Sequence, residues 1–190
     1  MTTWHWVRHG PTHQKTFTGW RDVDADLSDA GAVARLSAHL PDDALVVSSD
    51  LRRSVNTATA IQGSRTRLAH DPALREFHFG VWDGVHFSTV SDWHPDLSRA
   101  YWEAPGDVAP PGGESWNAAA TRVAMAVRRI EATHQVQHII AVAHFGVILT
   151  QVQAVLGITA QEVLAQKIDP LSVTRLNRIT GQVETINHRP

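Results

Sequence analysis

Five side chains of this sequence are of the types that bind and attack a phosphate ester. They lie in four short segments and are Arg8, His9, Arg53, Glu76 and His144. The forked guanidinium group of arginine donates parallel hydrogen bonds to anionic phosphate oxygens. An imidazole, with a reference pKa of about 6.5, offers phosphorus a lone pair without adding negative charge. A carboxyl group beside such an anion has a raised pKa and can protonate a leaving alkoxide. The set therefore predicts a site that binds a phosphate group and breaks its ester bond.

Three of the four segments directly follow a predicted buried strand. The strands are residues 4–7, 44–48 and 138–143. They are followed by Arg8-His9, by Ser49 to Arg53, and by His144. In open α/β sheets, ligands bind in the crevice beyond the carboxyl ends of the strands. We therefore expect these side chains to meet in one crevice.

The rest of the chain alternates strands with helices. Helices are predicted from a Ser28 cap to residue 40, over 52–62, from 114 to 133 and over 146–156, and a hairpin over 172–177 and 182–187. This order indicates an α/β fold: a three-layer α/β/α sandwich whose mainly parallel sheet has helices on both faces. We expect residues 1–190 to form a single domain.

Residues 77–112 interrupt the alternation of strands and helices. They are rich in proline, aspartate and aromatic residues, with short helices predicted at 86–93 and 97–102. This composition favours a lid-like insertion beside the site.

Composition excludes several classes of protein. The chain has 190 residues and no cysteine, which excludes thiolate catalysis and cysteine-ligated metals. The formal charge is -2 without a basic run, so we expect no nucleic-acid partner. No apolar stretch approaches the roughly 20 residues of a membrane span, and residues 1–8 lack the pattern of a signal peptide. We therefore expect a cytoplasmic protein without a membrane partner.

Twelve histidines raise the question of a metal site. His134 and His138 have helical ligand spacing, but the first is predicted at a helix end and the second at the start of a strand. There is no His-Glu-x-x-His motif. We expect neither a metal nor a cofactor.

The motifs resemble those of the histidine phosphatase superfamily, the phosphoglycerate mutase-like family. The resemblance rests on Arg8-His9-Gly10, Arg53, Glu76 and His144 in this order. It extends to Gly19-Trp20-Arg21-Asp22, Phe79-Gly80-Val81-Trp82-Asp83-Gly84 and Pro111-Gly112-Gly113-Glu114-Ser115, and so covers nearly the whole chain.

The resemblance implies a role for each site residue. His9 is the nucleophile that becomes transiently phosphorylated, and Glu76 is the proton donor. Arg8, Arg53 and His144 bind the phosphate, with His144 held cationic by it. Candidates for contact with the rest of the substrate are Gln14, Thr18, Gly19, Arg21 and Phe145.

The sequence also departs from the family pattern. An asparagine is common in the loop after Arg-His-Gly, where this chain has Gln14, Lys15 and Thr16. Phe145 stands where a glycine is common, which predicts a narrower pocket, and Asp83 replaces the usual glutamate of the Trp-Glu-Gly motif.

Three functions fit these motifs. The first is a metal-independent phosphomonoester hydrolase that acts through phosphohistidine on a small phosphorylated metabolite. The second is a phosphoglycerate mutase-type phosphoryl transfer, which the short segment between Glu76 and Glu114 disfavours because it leaves little chain to exclude water. The third is a noncatalytic phosphate-ligand-binding or scaffold protein. Within the phosphatase branch, the lid segment resembles that of α-ribazole phosphatases, and the motifs leave the substrate and the oligomeric state open.

Overall fold

The computed structural model describes residues 2–190 and is built around one six-stranded sheet. The strands are β1 (Thr3–Arg8), β2 (Leu45–Ser48), β3 (Thr66–Arg67), β4 (His138–Ala143), β5 (Val173–Asn177) and β6 (Gln182–His188). Their order across the sheet is β3-β2-β4-β1-β5-β6. The first four are mutually parallel, whereas β5 runs antiparallel to β1 and to β6. The prediction of a mainly parallel sheet with a C-terminal hairpin is confirmed.

Helices cover both faces of the sheet. They are α1 (Ala30–His39), α2 (Arg52–Ile61), α3 (Phe87–Trp93), α4 (Pro95–Glu103), α5 (Trp116–Thr133), α6 (Phe145–Leu156) and α7 (Ala160–Val163). Trp4 and Trp6 of β1 pack in a core with α5 and α6. Val7, from the opposite face of β1, packs with Leu36 of α1 and Ile61 of α2. Alternate residues of one strand thus join the three layers, and the predicted α/β/α sandwich is confirmed.

The first helix begins one residue later than predicted. Asp29 is its N-cap, because the Asp29 carboxylate accepts the Ala32 N–H at 2.9 Å. The Ser28 N–H instead donates to Asp26, so Ser28 belongs to the preceding turn and the predicted Ser28 cap is wrong. At α5 the Ser115 hydroxyl accepts the Ala118 N–H, as expected of a capping serine.

The segment 77–112 contains α3 and α4 and packs with Phe17 in a small core. That core contains Phe17, Trp82, Val90 and Tyr101. Strand β3 and helix α7 are absent from the sequence-based prediction because two and four residues are too few to establish a hydrophobic period. Among residues 2–190, no helix is long and apolar enough to cross a membrane.

Candidate active site

The carboxyl ends of three parallel strands meet at one pocket of about 280 Å³. Strand β1 leads to Arg8 and His9, the β2 loop leads to Arg53 at the start of α2, and β4 leads to His144. Arg8, His9, Arg53 and Glu76 line the pocket. The His144 ring lies behind them, with its centroid 5.1 Å from that of His9. The structure therefore brings together all five residues that the sequence singled out.

His9 is held as a neutral base. Its Nδ1 lies 2.7 Å from the Gly10 carbonyl oxygen. Because a carbonyl oxygen only accepts, Nδ1 carries the hydrogen, and Nε2 keeps its lone pair. Burial, together with the neighbouring Arg53 and Arg8 cations and against the Gly10 carbonyl, lowers the pKa of His9 to about 3. The imidazole is therefore a free nucleophile throughout the neutral pH range.

The two arginines are fixed by backbone carbonyls. Arg53 is buried and donates from Nη2 to Gly19 at 2.6 Å and from Nη1 to Arg21 at 3.0 Å. Arg8 donates from Nη1 to the Ile168 carbonyl at 2.6 Å. Each guanidinium is thus oriented by neutral acceptors, so its positive charge is not cancelled by a carboxylate at these positions.

His144 lies between two serines and the start of α6. Its Nε2 is 2.7 Å from Ser49 Oγ and 3.3 Å from Ser54 Oγ. Burial first, and then the charge of Arg53, lowers the pKa of His144 well below its usual value. The expected cationic state therefore depends on the charge of a bound phosphate. A neutral His144 that accepts the Ser49 hydroxyl hydrogen at Nε2 still has an Nδ1–H to donate.

Three buried donors of these residues have no hydrogen-bond partner within residues 2–190. They are Arg8 Nε, Arg53 Nε and His144 Nδ1. An unsatisfied buried donor costs about 1–3 kcal/mol. Arg8 and Arg53 line the pocket, so an anion bound there would relieve this cost at their two Nε atoms.

Glu76 is placed to carry a proton. Its carboxylate accepts the Phe77 N–H at 3.1 Å and the Gly146 N–H at 3.2 Å. Burial raises the pKa of Glu76, against the opposing effects of these N–H groups and of Arg53. The low-dielectric environment that keeps His9 neutral therefore favours the protonated form of Glu76.

The candidate substrate-contacting residues divide into two groups. Gln14, Thr18 and Phe145 line the pocket. Gly19 and Arg21 are not among its lining residues. The Gly19 carbonyl binds Arg53, and the Arg21 Nη2 donates to Gln14 Oε1 at 3.0 Å and to Thr16 Oγ1 at 3.1 Å.

Two departures from the family pattern acquire structural roles. Phe145 lines the pocket and packs against Arg8, whose guanidinium carbon is 5.5 Å from the ring centroid. Asp83 accepts the Gly19 N–H at 3.0 Å and the Arg21 N–H at 2.8 Å. Asp83 therefore holds the loop that orients Arg53.

Comparison with known proteins agrees with this geometry. Residues 5–188 match the histidine phosphatase superfamily (branch 1). The chain belongs to this superfamily. It is 34% identical over 174 residues to a glucosyl-3-phosphoglycerate phosphatase of Mycolicibacterium vanbaalenii, a match covering 80% of this chain and 73% of that protein. By contrast, the match to a bifunctional protein of Mycobacterium tuberculosis covers only 40% of that relative.

Solved histidine phosphatase structures have the same fold. A mycobacterial glucosyl-3-phosphoglycerate phosphatase superposes with a TM-score of 0.85 at 24% identity, covering 100% of both chains. A putative α-ribazole-5'-phosphate phosphatase of Escherichia coli superposes with a TM-score of 0.83 at 20% identity, covering 99% of this chain and 97% of that one. At these identities the likeness establishes the architecture alone.

Sequence reasoning missed the contacts that hold the backbone of Glu76. Arg122 of α5 donates to the carbonyls of Arg75 and Glu76 and forms a bidentate pair with Glu114. Trp20 Nε1 donates to the Glu76 carbonyl at 2.7 Å. Glu114 stands just before the N-cap Ser115 of α5, and Arg122 lies on that helix. Their opposite charges, eight residues apart, were the available signal.

Proposed function

We propose that this chain is a phosphomonoester hydrolase that acts on a small phosphorylated metabolite through a phosphohistidine at His9. The observation that carries the proposal is the combination of the free Nε2 of His9 with three unpartnered donors, on Arg8, Arg53 and His144. A nucleophile surrounded by donors suits a group that is both electrophilic and anionic. These residues supply all the catalytic roles, so the proposed reaction needs neither a metal nor a cofactor.

The reaction has two displacements at phosphorus. In the first, His9 Nε2 forms a bond to phosphorus as the ester P–O bond breaks, and the departing alkoxide takes the proton of Glu76. In the second, water attacks the phosphohistidine and gives a proton to the Glu76 carboxylate, while the N–P bond breaks and phosphate leaves. Arg8, Arg53 and His144 balance the charge on the transferring group in both steps. Glu76 ends the cycle protonated, as it began.

Hydrolysis is favoured over transfer to a second substrate by the open mouth of the pocket. Phe87 and Trp102 line it and remain 48% and 41% exposed. Water therefore has access to a phosphohistidine at this site. A mutase, in contrast, must keep the phosphoenzyme dry.

Replacement of the nucleophile tests the function. His9→Ala should abolish hydrolysis of phosphomonoesters and the acid-labile phosphate that forms on the wild type when labelled substrate is quenched without acid. The assay contains a chelator, and turnover should persist in it. His39→Ala, a change of an exposed histidine on α1, is the matched control and should behave as the wild type. Turnover by His9→Ala near the wild-type rate would exclude the proposed intermediate.

We also propose that residues 1–190 act as one domain, with residues 77–112 as a lid over the pocket. The segment supplies Phe79, Phe87 and Trp102 to the lining of the pocket, which supports a lid at this position. A single cooperative unfolding transition, with first proteolytic cleavage inside 77–112, is the expected result. Cleavage elsewhere with this segment intact would contradict the lid.

We propose a cytoplasmic location, because the phosphorylated metabolites that suit the pocket are charged and are retained by membranes. Fractionation of the source cells should place the protein with cytoplasmic markers. Recovery in an external or membrane fraction would contradict this location.

A further inference from the structure

The outer wall of the pocket is aromatic. Beyond the phosphate-binding residues, the pocket is lined by Phe17, Phe79, Phe87, Trp102 and Phe145. Phe17 is buried at their centre, and its ring centroid lies 4.6 Å from that of Phe87, 5.0 Å from that of Phe79 and 6.1 Å from that of Trp102. The wall is therefore packed before a substrate arrives, which reduces the entropy lost on binding.

The charges near this wall disfavour an anionic partner. Residues 77–112 contain five acidic residues, Asp83, Asp92, Asp96, Glu103 and Asp107, but only one arginine or lysine, Arg99. Arg99 pairs with Asp96 at 3.0 Å. Arg8 and Arg53 are the only arginines or lysines among the residues that line the pocket in the described chain, and both lie at its phosphate end. A second phosphate or a carboxylate placed against the aromatic wall would therefore find no arginine or lysine among the residues that form it. Arg21, which donates to the lining residues Gln14 and Thr16, lies outside that wall.

A second, apolar cavity adjoins the wall. It measures about 40 Å³ and shares Glu76, Phe79, Trp102 and Phe145 with the phosphate pocket. The remaining residues that line it are Phe77, Tyr101, Pro105, Trp116, Gly146 and Leu164. Because Glu76 borders both spaces, an apolar group attached near the ester oxygen would lie beside the proton donor.

We infer that the alcohol part of the substrate is uncharged and carries a flat apolar ring, which packs against Phe87 and Trp102 while Arg8 and Arg53 hold the phosphate. This inference rests on the proposed function and names its substrate class. The phosphate pocket of about 280 Å³ has room for a phosphate and a ring-sized group, since it is slightly smaller than the pockets of about 300–1,000 Å³ that bind drug-sized ligands. Offset or edge-to-face packing on preformed aromatic side chains supplies binding that a polar alcohol does not obtain.

A series of alkyl phosphates tests this class of substrate. Benzyl and ethyl phosphates both release primary alcohols that are poor leaving groups, so their comparison chiefly reports the contacts of the ring. We expect kcat/KM for benzyl phosphate to exceed that for ethyl phosphate by about 10-fold or more. 3-Phosphoglycerate, which adds a carboxylate, should be a poorer substrate than ethyl phosphate. A kcat/KM for 3-phosphoglycerate equal to or above that for benzyl phosphate would overturn the inference.

Two tryptophans of the same segment provide matched variants. Trp102 lines the pocket, whereas Trp93 is 58% exposed on α3 and is not among the lining residues. Trp102→Ala should lower kcat/KM for benzyl phosphate by about 5- to 10-fold and that for ethyl phosphate by less than about twofold. Trp93→Ala should change neither. Equal losses of kcat/KM on the two substrates in Trp102→Ala would show that Trp102 stabilises the fold and does not bind the ring of the substrate.

Binding to the His9→Ala variant separates this inference from the proposed function. Calorimetry should give a lower Kd for benzyl phosphate than for 3-phosphoglycerate, whether or not the wild type turns over either ester. Tighter benzyl phosphate binding by a protein without turnover would sustain the ligand class and refute the hydrolase. Turnover by the wild type together with tighter 3-phosphoglycerate binding would sustain the hydrolase and refute the ligand class.

Discussion

At the scale of single residues, burial prepares a base and an acid in the same pocket. Removing water penalises the charged form of any group, so it lowers the pKa of the His9 imidazole and raises that of the Glu76 carboxyl. Both shifts leave a neutral group: a nucleophile with a free lone pair and an acid with a proton to give. The site therefore needs no proton transfer to prepare either group before the substrate binds.

The pH dependence of Glu76→Gln tests this arrangement. With the pKa of Glu76 raised, the protonated form required for an alkyl phosphate is present at low pH and is lost as the pH rises through that pKa. Wild-type kcat/KM should therefore fall on the alkaline side. Glu76→Gln should lack that fall and lose about 100-fold or more at neutral pH.

An activated aryl phosphate is the control for the same variant. Its phenolate leaves without a proton, so Glu76→Gln should affect its kcat/KM far less. kcat/KM is the suitable parameter because it reports the steps up to the first phosphoryl transfer. A matched loss on alkyl and aryl phosphates would mean that Glu76 organises the site instead of protonating the leaving group.

The residue types of the site could be predicted from the sequence, but their protonation could not. Arg8, His9, Arg53 and His144 stand beside strand ends, and this local pattern is visible in the sequence. The position of the hydrogen on His9 depends on the Gly10 carbonyl, a backbone group that every residue possesses. Only the three-dimensional path of the chain determines which carbonyl that is.

At the scale of elements, the loop at residues 18–21 joins the core to the segment 77–112. On one side its carbonyls bind Arg53, and on the other its N–H groups donate to Asp83. Gly19 is required between them, because an added Cβ would lie 2.4 Å from the Phe77 carbonyl oxygen. The orientation of Arg53 thus depends on the Asp83 carboxylate of the segment 77–112.

Asp83→Asn should loosen this loop. The amide offers one acceptor oxygen where the carboxylate offers two, which leaves one N–H of the loop unsatisfied at a cost of about 1–3 kcal/mol. We expect KM to rise for alkyl and aryl phosphates alike, because Arg53 loses its support. Steady-state kinetics on both classes checks this, and a loss of kcat confined to the alkyl ester would instead make Asp83 the proton donor.

Long helices and strands could be predicted from the sequence, whereas the formation of short ones depends on residues that pair with them in the fold. Strand β4 begins and ends where the apolar run 138–143 does. Strand β3 has two residues and exists because Leu45 and Val46 of β2 offer it hydrogen-bonding partners. The cap of α1 is Asp29, whose carboxylate accepts the Ala32 N–H, while the Ser28 N–H donates to Asp26 in the preceding turn. Strand β3 thus depends on a partner strand that lies about 20 residues away in the sequence.

At the scale of the whole molecule, three buried histidines lower the stability of the fold as the pH falls. Burial lowers the pKa values of His5 and His9 to about 3 and that of His144 well below its usual value. The unfolded chain, with histidine pKa values near 6.5, therefore binds more protons than the folded one below about pH 6.5. Their contribution to stability is complete above that pH and is lost progressively as the pH falls toward 3.

His5→Leu isolates one of these groups away from the pocket. His5 lies 4% exposed on β1, with Nε2 3.2 Å from His138 Nδ1, and His138, Arg175, His39 and Asp43 surround it. Because the pKa of His5 is lowered to about 3, the free energy of unfolding of the wild type should fall between pH 7 and pH 5 by up to about 2 kcal/mol more than that of the variant. Urea unfolding at both pH values measures this, with exposed His70→Leu as the control. Identical losses in wild type and His5→Leu would contradict the assignment.

The central position of β1 also dictates how a nascent chain acquires this structure. Thr3 pairs with His138 on one side and with Asn177 on the other, and Trp4 Nε1 bonds to Glu131. Synthesis from the amino terminus therefore exposes two tryptophans long before their partners leave the ribosome. Such distant pairing slows folding. It lengthens the time during which the apolar strand β1 is exposed to chaperones or to aggregation.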